Sequence, residues 1–185
     1  MTRASERIYE EFLVAAALTG DQPALSRLVA RWQPRLLRHA WRVLGDGERA
    51  RDMVQEAWVE ILRGLARLDD VAAFPAWAFR IVTRRCQREF HRKSLMPLVS
   101  EDVEINEQLV VPEGASGEFA AEMSIVMDAI ASLPAPQRTA LALFYIEELN
   151  VAEISVATDV APGTVKTRLM HARRKVRALL EGEPS

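Results

Sequence analysis

An all-α fold is predicted: two small helical domains joined by a flexible acidic linker, the C-terminal domain containing a helix-turn-helix. Three observations predict it. Glycine is sparse at 8 residues and aromatics make up only 6% of the chain, which argues against a sandwich or barrel. Alanine, leucine, arginine and glutamate dominate, and all four are good helix formers. Charge falls in blocks along the chain. Arg80 to Lys93 is basic, with Glu89 its one acid, and Ser94 to Gln137 holds acids but no lysine or arginine. Pro162 to Arg177 is basic again, without an acid.

The 185 residues, 49% apolar, suffice for one medium domain or two small ones. The formal net charge of -2 hides the block pattern. Cys86 is the single cysteine, so an internal disulfide is excluded and a reducing compartment fits. The apolar stretch "FLVAAALTG" follows Glu6, Glu10 and Glu11, where a signal peptide needs positive charge. No run reaches the roughly 18 apolar residues of a spanning helix. A cytoplasmic protein without membrane insertion is expected.

Helical signals follow in order. Residues 6–18 place Ile8, Phe12, Ala15 and Ala16 on one face. Asp21 reads as an N-cap, with Pro23 in the first turn of a helix carrying Leu25, Leu28, Val29 and Trp32. Pro34 predicts a break or kink before "RLLRHAWRVL" continues to Gly45. "GDGE" is a stop and restart. Residues 48–64 carry a stripe of Val54, Trp58, Ile61 and Leu62, and the loop "LARLDDVAA" follows. Pro75 opens a helix to about Lys93, with Trp77, Ile81 and Phe90 inward. The next segment, 96–118, holds Pro97, Pro112, Gly114 and Gly117 without a helical period, and reads as the linker. Its acidity is explained as well by a solvated spacer as by a function.

The C-terminal domain begins near Phe119. Its first helix, about 119–132, shows Met123, Val126, Met127 and Ile130. "LPAPQ" breaks and restarts the chain, and the following helix holds Leu141, Phe144 and Tyr145. A short helix over about 151–158 has Asn150 as its cap. Asp159 then sits where a turn demands a left-handed residue, which Asp tolerates better than most. Pro162 opens the last helix, whose stripe is Val165, Leu169, Ala172, Val176 and Leu179 or Leu180. Two helices across so short a turn form a helix-turn-helix. The second helix puts short polar and basic groups first, suited to base edges, and an arginine cluster later, suited to phosphates. A solvated helix face usually mixes both signs of charge, and this one does not.

At these residues the chain resembles the extracytoplasmic-function sigma factors. The C-terminal pieces are Leu133–Pro134, "EELNVAEISVA" and "GTVKTRLMHARRKVR"; the N-terminal pieces are "DMVQEAW" and "FPAWAFRIVTRRCQREFHRK". The two motif sets cover most of the chain, in the family's order. The resemblance implies an alternative sigma factor that binds core RNA polymerase and reads minus-35 and minus-10 promoter DNA. Domains are expected at 1–95 and 119–182.

Residue roles follow from the resemblance. Asp52, Gln55 and Glu56 are expected on core polymerase. Leu68, Asp69, Trp77, Arg80, Arg84, Arg85 and Arg88 are expected at the melted minus-10 strand. Thr164, Lys166, Thr167, Arg168, Met170, His171, Arg173 and Arg174 are expected at the minus-35 element, with Arg168 and Arg173 on phosphates. An anti-sigma factor is an expected protein partner. Arg84 departs from the Asn usual in the family's pattern, and Asp69 and Asp70 are acids in the minus-10 loop.

Plainer roles compete at several positions. Trp32, Trp41, Trp58 and Trp77 lie on or near apolar stripes, where core packing is their expected role. Cys86 is expected to be an inert helix thiol rather than a redox sensor. His39, His91 and His171 do not cluster with cysteine or paired acids, so no metal or other cofactor is expected. No phosphate loop or catalytic set is present, so no enzyme activity is expected. A dimeric helix-turn-helix regulator would explain the C-terminal half but leaves "DMVQEAW" and the basic 80–93 helix without a task. A helical adaptor protein is a third reading.

Overall fold

The computed structural model describes residues 3–94, 125, 126 and 128–181. The described residues form helices α1 (Arg3–Leu18), α2 (Gln22–Leu44), α3 (Gly47–Gly64) and α4 (Phe74–Ser94). Two 3-10 turns, Leu65–Arg67 and Val71–Ala73, connect α3 to α4. Helical residues 125, 126 and 128–131 precede α5 (Ala135–Tyr145), α6 (Val151–Thr158) and α7 (Pro162–Leu180). No strand occurs among the described residues. The expected linker at 96–118, and Met123 and Met127 of the helix after it, lie outside the described residues.

Local chemistry sets the helix ends. Asp21 accepts from Ala24 N at 2.9 Å and caps α2. Gly45 closes α2 in the left-handed region at φ 69°, and Asp46 caps α3 through Glu48 N and Arg49 N. Asn150 and Glu153 form a reciprocal capping box on α6.

The expected break at Pro34 is absent, and α2 runs through it from Gln22 to Leu44. Proline inside a helix costs about 3 kcal/mol. Leu28, Trp32, Leu36 and Ala40 are all fully buried on one face that spans the proline. Four such burials outweigh one lost hydrogen bond. Trp32 centres this core: its ring lies 5.1 Å from Phe74 and 5.6 Å from Phe79, and the Arg35 guanidinium stacks 4.0 Å from its centroid.

Several expected inward residues point out. Ile8 and Phe12 are exposed on α1, whose buried side is Glu10, Leu13 and Val14. Glu10 can be buried there because Arg31 and Arg35 reach it, at 2.7 and 2.8 Å. Leu62, Phe90, Leu179 and Leu180 are also exposed. Leu62 lies one residue beyond the buried Ile61, just off the α3 stripe, and Leu179 and Leu180 lie in the last turn of α7.

One apolar core runs through both expected domains. Leu143, Leu149, Ile154, Ala157, Val165 and Leu169 join the cluster that contains Leu28, Trp32 and Phe79. A small second cluster gathers Leu133, Leu141 and Ala172. In this arrangement α6 packs on α4, and α5 on α2. Polar contacts cross the same boundary. Arg35 Nε donates to Glu147 Oε2 at 2.6 Å, and Arg7 Nη2 to Glu153 Oε1 at 2.7 Å. The buried Arg138 reaches the Arg42 carbonyl at 3.4 Å.

Candidate nucleic-acid interface

The helix-turn-helix is built from its turn outwards. Asp159 adopts φ 56° and ψ 41°, the left-handed conformation expected of it. Ser155 Oγ donates to the Val160 carbonyl at 2.6 Å, and Thr158 Oγ1 to the Ile154 carbonyl at 2.7 Å. The backbone N–H groups of Asp159 and Val160 satisfy the Ser155 and Val156 carbonyls that the helix end leaves open. Ile154 and Ala157 are fully buried, and so are Val165 and Ala172, with Leu169 nearly so. That packing fixes which way α7 faces.

The outward face of α7 carries Thr164, Lys166, Thr167 and Met170, all exposed. Lys166 and Arg174 have no ion pair or hydrogen-bonded partner among the described residues. Thr167 donates its hydroxyl to the Gly163 carbonyl at 3.0 Å and keeps its lone pairs for an outside donor. His171 is half-buried. Arg168 is half-buried too, and lines a groove of about 310 Å³ shared with Phe90, His91 and Pro136. It therefore faces α4 as much as solvent. Arg173 Nε donates to Tyr145 Oη at 2.9 Å, and its guanidinium lies 5.2 Å from the Phe144 ring centroid. The aromatic end of α5 thus sets its direction.

Residues 65–93 form a second basic surface. Arg80, Arg84 and Arg88 recur at four-residue spacing on one side of α4. Arg88 is exposed and without a partner among the described residues. Arg80 and Arg84 both pair with Asp159, at 3.1 and 3.7 Å. Arg85 points the other way, toward α3, where it binds Glu56 and Glu60. Leu68 and Trp77 are half-buried and pack on the main core. The Trp77 ring also closes on Gly64, where an added Cβ would lie 2.8 Å from it. Asp69 is exposed, and Asp70 accepts from Ala72 N at 2.9 Å, holding the second 3-10 turn.

On α3, Asp52, Gln55 and Glu56 are all exposed and line a shallow groove of about 230 Å³ with Glu89 and Arg92. Glu60 continues that acidic edge. Sequence reasoning missed Glu60, and it read Asp159 only as a turn residue. The spacing from Glu56 to Glu60 is one helical turn, a signal that was available. The partners of Asp159 lie 79 residues away for Arg80, where no local pattern reaches.

Two titrating groups are buried behind these surfaces. Burial, with a smaller contribution from Arg42, pushes His39 down to about 3. Its Nε2 shares a 2.8 Å hydrogen bond with Thr83 Oγ1. Burial pushes the Cys86 thiol up to about 12, the opposite of an activated thiolate.

The family model for sigma-70 region 2 matches residues 28–95, and that for sigma-70 region 4 matches residues 123–176. The ECF RNA polymerase sigma factor SigW of Bacillus subtilis is 29% identical over 170 residues, covering 87% of this chain and 91% of that protein. The ECF RNA polymerase sigma-E factor of Escherichia coli is 28% identical over 181 residues, covering 93% and 94%. Among solved structures, CnrH in complex with the cytosolic domain of CnrY matches the fold with a TM-score of 0.62 at 23% identity, over 95% of this chain and 99% of that one. The sigma factor RpoE of Bartonella quintana, in complex with the anti-sigma factor NepR, matches with a TM-score of 0.59 at 19% identity, over 86% and 98%.

Proposed function

The chain belongs to the extracytoplasmic-function subfamily of sigma-70 factors, and from that premise we infer how its surfaces divide the work of an alternative sigma factor. Such a factor binds core RNA polymerase and directs transcription to particular promoters. The observation that carries this function is the pair of family matches, region 2 and then region 4, in one chain. A stand-alone helix-turn-helix regulator would have no use for region 2.

The N-terminal unit, residues 1–95, docks on the polymerase through the exposed acidic edge Asp52, Gln55 and Glu56. Its α4 face takes the melted minus-10 strand, with Arg80, Arg84 and Arg88 on phosphates and Asp69 at the loop. Trp77 and Leu68 support that loop from the core side. Arg85 is a strut between α4 and α3, since its charge is spent on Glu56 and Glu60. The C-terminal unit, residues 119–182, lays α7 in the major groove at the minus-35 element. Lys166, Thr164, Thr167, Met170 and His171 meet bases, while Arg168, Arg173 and Arg174 meet phosphates.

The polymerase supplies the chemistry, and this chain supplies binding energy for single-stranded bases, which favours open DNA. Two weak readers combine through effective concentration once the polymerase holds both. A protein inhibitor of the anti-sigma type is the expected partner off the polymerase. Among the described residues no helix is long and apolar enough to cross a membrane. Run-off transcription with core enzyme and a promoter library tests the reading. Promoter-dependent transcripts are expected only when the chain is added. Tight, polymerase-independent binding to a palindrome would replace it with the regulator.

A further inference from the structure

A cavity of about 540 Å³ lies where α1, α2 and the start of α4 meet the turn between α5 and α6. None of the residues proposed for polymerase or DNA lines it. Its size falls within the roughly 300–1,000 Å³ of small-molecule sites. Pro34, Pro75, Ile146 and Leu149 give it an apolar part. Four arginines and four glutamates share the rest of its wall, so the lining carries no formal net charge.

Most of these charges pair with one another. Arg31 and Arg35 share Glu10 Oε1, at 2.7 and 2.8 Å, and Arg35 Nε donates to Glu147 Oε2 at 2.6 Å. Arg31 also approaches Glu6, at 3.5 Å. Arg7 turns to Glu153, at 2.7 Å, and to Glu11, at 3.5 Å. Two groups are left over. Arg38 is exposed and has no ion pair or hydrogen-bonded partner among the described residues. The Glu147 side chain is 1% exposed, and its second oxygen, Oε1, is buried without a hydrogen-bond partner. An unpaired buried carboxylate oxygen is costly, so a donor that reaches it is held strongly. Glu147 lines the cavity, which is the route for such a donor.

The two leftovers specify a ligand. An anion alone would answer Arg38, but it would face four carboxylates and leave Oε1 unpaired. A cation alone would answer Oε1, but it would face four arginines. A molecule with both a cationic N–H donor and an anionic group answers both and keeps the site neutral. Spacing sets its length. Arg31, Arg35 and Arg38 follow one face of α2, in steps of four and three residues. Neighbours at such steps have Cβ atoms about 5–6 Å apart, and Glu147 is held on Arg35. The two groups therefore lie about one helical turn apart, and an extended chain of two residues spans about 7 Å.

We propose that this cavity binds a small zwitterion of the dipeptide class. Its ammonium pairs with the Glu147 carboxylate, its carboxylate with Arg38, and its apolar side chain lies against Pro34 and Ile146. The site stands apart from the sigma-factor reading, and it gives the chain an input from small molecules.

Glycylleucine is the probe, titrated into the full-length chain by calorimetry. Saturable binding at a single site is expected. Its carboxamide and its N-acetylated form each lack one charge, and each should bind at least about tenfold more weakly. Arg38→Ala should weaken glycylleucine by about the same factor and leave the carboxamide unchanged, because the two changes delete one contact from its two ends. Arg38 is exposed and unpaired among the described residues, so this variant keeps the fold, which circular dichroism checks. Absence of saturable glycylleucine binding would overturn the proposal. Equal binding of the dipeptide and its carboxamide would do so too, as would equal binding by wild type and Arg38→Ala. Displacement by inorganic phosphate at equal concentration would make the cavity a simple anion site and overturn the dipeptide assignment.

Discussion

Arg85 donates from Nε and Nη2 to one oxygen of Glu60, at 3.1 and 2.8 Å, and so ties α4 to α3. Glu56, a proposed polymerase contact, shares the same guanidinium. One arginine of the basic helix therefore braces the acidic edge.

Arg85→Ala is expected to lower stability by about 1 kcal/mol, because its partners are half in solvent. Its effect on single-strand affinity should be small. Arg88→Ala should do the reverse, leaving stability alone and flattening the salt dependence by about 0.7 per lost phosphate contact. Denaturant midpoints and single-strand titrations at several salt concentrations separate the two.

On α7, Lys166→Ala should cost about 1–3 kcal/mol of minus-35 discrimination while core binding stays intact. Arg173→Ala should weaken binding across all sequences. It should also cost some stability, since Arg173 is held by Tyr145 and Phe144. Binding of the holoenzyme to matched and mutated promoters measures both. A changed base preference in Arg173→Ala would move that residue to the base-reading set.

Gly64 is the tight spot behind the proposed minus-10 loop. Alanine in a helix normally gains about 0.5–1 kcal/mol over glycine. Here the new methyl would lie 2.8 Å from the Trp77 ring, and moving a packed indole costs about 1–3 kcal/mol. Net destabilisation is expected, with a shift in tryptophan fluorescence. Equal or higher stability would mean that Trp77 moves freely.

His39 ties stability to pH. Its folded value of about 3 lies below the ordinary 6.5, so the unfolded chain binds the extra proton as pH falls through 6.5. The contribution is complete above pH 6.5 and is lost between there and about 3, at up to about 1.4 kcal/mol per pH unit. His39→Gln should flatten that slope. Chemical denaturation at pH 7, 6 and 5 checks it.

Cys86 should not react with thiol reagents while the chain is folded, since burial raises the thiol to about 12. Labelling should follow global unfolding, and denaturant should accelerate it. Rapid labelling of native protein would restore the redox reading.

Much of the site was legible along the chain. The caps at Asp21, Asn150 and Asp159 use atoms within a few residues of the groups they satisfy, so a short window contains the whole interaction. The stripe Val165, Leu169 and Ala172 needed only helical periodicity. The stripes of α1 and α3 were harder. Ile8 and Phe12 look inward by hydropathy, yet Glu10 is the buried residue, because two arginines on α2 neutralise it. Pro34 followed the same logic: its local cost was readable, while the four buried residues that overrule it became visible only in the packed core.

By itself, then, the sequence determined the helices, their caps, the helix-turn-helix and the family, because those signals are local or lie in contiguous motifs. Tertiary structure decided where the charges go. Arg85 chose Glu60, Arg35 chose Glu147, and Arg80 chose Asp159, across separations of 25, 112 and 79 residues. An ion pair depends on distance in space, and chain folding alone sets that distance for residues so far apart.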